Sequence, residues 1–94
     1  MTAVSDADAN SLEAPTATAV LEHIVRSIVD DADAVNVSSS IGRNDSVRLE
    51  VRVGPGDLGR VIGRRGRTAQ SIRTVVRAAA VNDDVEVDVD FVDD

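Results

Sequence analysis

The chain of 94 residues contains no cysteine, lysine, tryptophan or tyrosine, and Phe91 is its only aromatic residue. Without cysteine there is no disulfide, no thiolate nucleophile and no Cys-ligated metal site. A single ring excludes a platform on which successive bases stack. No apolar run approaches the ~20 residues that a membrane-spanning helix needs. The opening residues, MTAVSDADANSLEAPTATA, have neither a basic n-region nor an apolar h-region, so no signal peptide is read there. A soluble, cytoplasmic protein with no membrane partner is the expectation. The length suits one small domain, and domains of about 55–65 residues already fold alone.

What is present is sorted by charge. The formal net charge is -7, and all ten basic residues are arginine. Residues 1–40 hold seven acids and Arg26. Residues 41–80 hold nine arginines against Asp45, Glu50 and Asp57, and residues 81–94 hold seven acids and no base. The segment Arg60–Ala80, RVIGRRGRTAQSIRTVVRAAA, has six arginines and no acid. Such asymmetry points to a local anionic partner on a globally acidic protein.

Hydrophobic spacing predicts the elements. Residues 1–15 are rich in Ala, Asp, Ser and Thr and read as a disordered acidic tail, leaving 16–92 as the domain. From Thr18, Val20, Leu21, Ile24, Val25, Ile28 and Val29 recur at helical spacing. Val35, Val37, Ser39 and Ile41 alternate with polar residues as a strand, and Gly42–Asp45 has turn composition. SVRLEVRV alternates cleanly and ends at Gly54-Pro55-Gly56. A short helix follows over 57–62, with Asp57 placed to cap it. A second helix runs from Thr68 to about Val81, with Ile72, Val75, Val76, Ala79 and Ala80 as its apolar stripe. Val85, Val87, Val89 and Phe91 then alternate inward along a last strand. The order α-β-β-α-α-β is an α+β fold, one three-stranded sheet with its helices on one face.

Gly63-Arg64-Arg65-Gly66 separates the two short-range helices. Glycine lets backbone approach a ligand without a Cβ in the way. The next helix turns its free N–H groups and positive dipole end toward this loop. Arg64 and Arg65 project from the turn, with Arg60 and Arg67 beside it, and guanidinium matches phosphate oxygens. The segment reads as a clamp for a sugar-phosphate backbone. Arg73 and Arg77, at i and i+4, either extend the track or are plain solvated charges.

A G-x-x-G loop clamping about four nucleotides is the mark of the KH module. VIGRRG, between two helices, resembles that module, and the N-terminal α-β extension resembles its type II arrangement. DLGRVIGRRGRTAQSIRTVVRAAA is similar to the KhpA family of small bacterial single-KH-domain proteins. That resemblance implies binding of single-stranded RNA with little sequence preference and an RNA chaperone or adaptor role. It also implies self-association or pairing with a second KH protein (KhpB-like), and a link to the cell envelope and cell shape. It places the clamp at Gly63, Arg64, Arg65 and Gly66, with Leu58 and Ile62 lining an apolar groove; with the flanking arginines the expected RNA contacts are Ile62, Gly63, Arg64, Arg65, Gly66, Arg67, Arg60 and Arg73. Arg64 stands where the family often has lysine, which keeps the charge.

Other motifs read more simply. Gly54–Gly59 matches G-x-G-x-x-G, but Pro55 sits in the turn and no parallel βαβ unit is expected after it. The same stretch lacks the Lys-Ser/Thr of a P-loop. His23 lies mid-helix with no nucleophile in view. The acids of DVEVDVDFVDD lack the glycine and terminal glutamate of a calcium loop. No catalytic constellation, cofactor site or small-molecule substrate site is found, so a non-enzymatic protein is expected. The rival reading is a KH-fold interaction or dimerisation module whose arginines meet an acidic protein.

Overall fold

A computed structural model describes residues 14–93. Helix α1 spans Pro15–Ile28, strand β1 Asn36–Ile41 and strand β2 Val47–Val53. Helix α2 spans Leu58–Ile62, helix α3 Arg67–Ala80 and strand β3 Val87–Asp93. The order and the α+β architecture agree with the expectation.

The first helix starts three residues earlier than its spacing predicts. Pro15 opens it, where proline's fixed φ suits a helix and its missing N–H costs nothing. Ala17, Leu21 and Val25 form the buried stripe, with Ala14 buried just before it. Among the described residues, no local side chain caps this helix. The carboxylate of Asp83 does so from across the fold, accepting the N–H groups of Thr16 (3.0 Å) and Ala17 (2.9 Å). Burial draws the Asp83 carboxyl upward, but those N–H groups and the Thr16 hydroxyl outweigh it and hold its pKa below the usual carboxylate value. The expected acidic tail lies, except for Ala14 and Pro15, outside the described residues.

The sheet order is β1-β2-β3. β1 and β2 are antiparallel, with Ser39 opposite Leu49, and their hairpin turns through Asn44 and Asp45 at positive φ. These residue types tolerate that conformation best after glycine. β3 pairs parallel with β2, Val47 with Val87 and Leu49 with Val89. Residues 54–86, with α2 and α3, therefore make a parallel crossover, which corrects the expectation that no βαβ unit follows β2. The dinucleotide reading still fails, because the strand leads through Pro55 into a helix of only five residues.

Val47, Leu49, Val51 and Val53 on β2 are buried, while Arg48 and Arg52 between them are exposed. Fully burying such a side chain contributes ~1.5–3 kcal/mol, so β2 is the spine of the core. Val61, Ile72, Val76, Ala80, Val87 and Val89 close over it, together with α1. Val75 is 48% exposed, so the buried stripe of α3 (Ala69, Ile72, Val76, Ala80) is narrower than predicted. Asp57 does not cap α2 with its side chain. Its buried carboxylate instead accepts the N–H groups of Asp30 (3.3 Å) and Asp31 (3.1 Å), just past the end of α1. No described helix is long and apolar enough to cross a membrane.

Candidate nucleic-acid interface

The four residues between α2 and α3 form one tight turn. Gly63 has φ 74° and ψ 176°, a conformation essentially restricted to glycine. A Cβ there would lie 2.6 Å from the Cβ of Thr68. Gly66 has φ 74° and ψ 12°, but faces open space. Arg65, between them, is held at φ 58°, a left-handed conformation that costs a non-glycine residue about 1–2 kcal/mol. Gly63 N–H donates to Gly59 O (2.9 Å) and Gly66 N–H to Gly63 O (3.2 Å). No described side chain caps α3, so the positive end of its dipole meets the loop.

The arginines divide into two sets. Arg26 pairs with Glu22, Arg48 with Asp90, Arg52 with Glu50 and Arg77 with Asp88. Arg60, a candidate clamp residue, is held by Asp57 (3.2 Å) and Asp30 (2.9 Å), so its charge is met within the protein. Arg64, Arg65 and Arg67 are exposed and have no acidic partner among the described residues. Arg43, in the β1–β2 turn, is the fourth such cation. Unmatched positive charge is thus concentrated on the turn that the glycines shape.

Arg73 lies along the seam between α3 and β3. Its Nε donates to Val89 O (3.3 Å), one of its terminal nitrogens to Gln70 (3.2 Å), and its guanidinium lies 5.2 Å from the Phe91 ring centroid. Arg77 repeats the arrangement one turn on, toward Val87 O (3.5 Å). Both arginines therefore lie along the free edge of β3. Ile62 is half-buried at the loop, whereas Leu58 is half-buried against the core.

A family model described as the KhpA/KhpB KH domain matches residues 18–91, which hold every described helix and strand in whole or in large part. The chain belongs to the KhpA/KhpB family of KH domains. The RNA-binding protein KhpA of Leifsonia xyli subsp. xyli is 54% identical over 74 residues, covering 79% of this chain and 93% of that protein. That of Clostridium acetobutylicum is 47% identical over 73 residues, covering 78% and 96%. That of Streptomyces coelicolor is 60% identical over 58 residues, covering 62% and 72%.

Within this KhpA/KhpB domain, the glycine turn, Arg64, Arg65 and Arg67 come together as sequence reasoning expected. Arg60 is drawn off by acids and Arg73 by the strand edge. The sequence did not reveal that Arg73 and Arg77 would reach the carbonyls of β3. That placement depends on the parallel pairing of β3 with β2, and alternation alone does not tell a parallel strand from an antiparallel one.

Proposed function

We propose that this chain binds single-stranded RNA by its sugar-phosphate backbone, with the GRRG turn as the clamp. The observation that carries the reading is the set of unpaired arginines on that turn, in a protein whose other arginines are mostly neutralised. Gly63 and Gly66 bring the backbone close to the ligand, and Arg64, Arg65 and Arg67 contact phosphates. Ile62 lies under the bound strand and Arg73 lines its path, while Arg60 steadies the start of α2. Backbone contacts carry no base information, so little sequence specificity follows. The names of the KhpA relatives support RNA binding, and nothing in the site calls for catalysis.

The role that fits is an RNA chaperone or adaptor in the cytoplasm, linked to control of the cell envelope and cell shape. One KH domain grips about four nucleotides, so pairing with itself or with a KhpB-like protein would raise affinity by avidity. A second reading, a protein-interaction module, draws on Val75 (48% exposed) and Val81 (75% exposed).

The test is titration of a fluorescent mixed-sequence RNA with the wild type and an Arg64→Asp, Arg65→Asp variant, both checked by circular dichroism. Three phosphate contacts predict a roughly 20-fold loss of affinity between 50 and 200 mM salt. The folded variant should not bind. Equal binding by the variant, or no binding by the wild type at any salt, would overturn the clamp and favour the interaction module.

A further inference from the structure

The α3–β3 seam continues past Arg77. Where α3 ends and the β1–β2 turn approaches the start of β3, there is an open cavity of about 520 Å³. Arg43, Asn44, Ser46, Val81, Val85 and Glu86 line it. Arg77 and Asp88 border both this cavity and the smaller cleft beside Arg73, so the two adjoin.

The lining has three kinds of group. Arg43 is exposed and without a partner among the described residues. Val81, 75% exposed, and the half-buried Val85 offer an apolar wall. Glu86, exposed and also without a partner among the described residues, is an acceptor at the rim when ionised. A nucleotide needs these three: a cation for its phosphate, an apolar surface for its base face, and a polar group for the base edge.

We propose that this cavity holds one further nucleotide of an RNA strand gripped at the GRRG turn, and that Glu86 favours a base bearing an exocyclic amino group. The proposal rests on the RNA reading above. Fourteen helical steps from Arg67 to Val81 span ~21 Å. Four stacked nucleotides at ~3.4 Å each span ~14 Å. The cavity therefore lies beyond the basic grip and receives about the sixth or seventh nucleotide. Cytosine and adenine present amino donors to a carboxylate, while uracil presents a carbonyl in the corresponding place.

The experiment measures binding of oligocytidylates and oligouridylates of four, six and eight nucleotides, by fluorescence anisotropy and, for the weakest, by NMR titration. The proteins are the wild type, Arg43→Ala, Val81→Asp, Glu86→Ala and the Arg64→Asp, Arg65→Asp double variant. The two tetranucleotides should bind the wild type alike. Lengthening to eight cytidines should raise affinity about tenfold more than lengthening to eight uridines, the scale of one hydrogen bond to a charged group. Arg43→Ala and Val81→Asp should remove that step and leave tetranucleotide binding intact. Glu86→Ala should close the gap between cytidine and uridine. If length-dependent gains are equal for both bases and unchanged in these variants, while the loop variant still abolishes binding, the cavity proposal alone is wrong. If the wild type binds no RNA of any length, both readings fall.

Discussion

Gly63→Ala and Gly66→Ala are the same change at the two ends of one motif, yet their surroundings differ. At Gly66 the added methyl meets open space, and its φ of 74° with ψ 12° is a left-handed conformation costing about 1–2 kcal/mol. Loss of unfolded-state freedom returns ~0.4–1 kcal/mol, so the net loss is about 1 kcal/mol. At Gly63 the backbone lies in a glycine-only region, worth ~1–3 kcal/mol of strain. The new Cβ also overlaps Thr68, 2.6 Å from its Cβ and 3.0 Å from its backbone nitrogen. Relief requires shifting the first turn of α3, so the total is ~3 kcal/mol or more. For a domain of this size 1 kcal/mol shifts Tm by ~4–8 °C. Thermal unfolding followed by circular dichroism should show a drop of ~12 °C or more for Gly63→Ala and ~8 °C or less for Gly66→Ala. Thr68→Gly, combined with Gly63→Ala, should recover part of the loss beyond additivity, since the two atoms that collide would no longer both be present. Equal losses at the two glycines, or strict additivity with Thr68→Gly, would refute this account of the turn.

Other perturbations separate stability from binding. Arg65→Gly relieves the left-handed backbone at that position and should raise stability by ~0.5 kcal/mol or more, while RNA affinity falls and the salt slope shrinks by ~0.7. Asp83→Asn should lower Tm at neutral pH. The folded pKa of Asp83 is lower than 3.8, so its contribution is complete well above that value and is lost as pH falls through the folded value. The gap between variant and wild type should therefore close in acid, as a pH series of melts would show. The Thr18 hydroxyl is buried without a hydrogen-bond partner among the described residues, so Thr18→Val should raise stability by about 1 kcal/mol in urea unfolding, and a clear loss would contradict that assignment.

Much of the fold is legible in alternation and spacing, and the exceptions have specific causes. The clean period of Val47–Val53 identifies β2 because every second residue is buried and apolar. The start of α1 is obscured because its first buried residues are alanines, which barely stand out against a background of Ala, Asp and Thr. Pro15 was the available signal, since proline favours the first helical position. Asp57 and Asp83 both look local in the chain and act at long range, on backbone N–H groups 26 and 66 residues away. No short-range rule reports such a partner. The residues of the proposed clamp are contiguous in sequence and so stand out there, whereas the cavity at Arg43 draws its walls from three separate segments.

The parallel pairing of β2 with β3 also bears on how the protein folds. Adjacent parallel strands cannot be joined by a tight turn, so β3 docks only after residues 54–86 have been drawn back along the sheet. The GRRG turn lies inside that connection and joins α2 to α3. The segment that would grip RNA is therefore also the hinge on which the last strand closes. Substitutions that stiffen or distort it should slow refolding, because the long-range pairing of β3 waits on it.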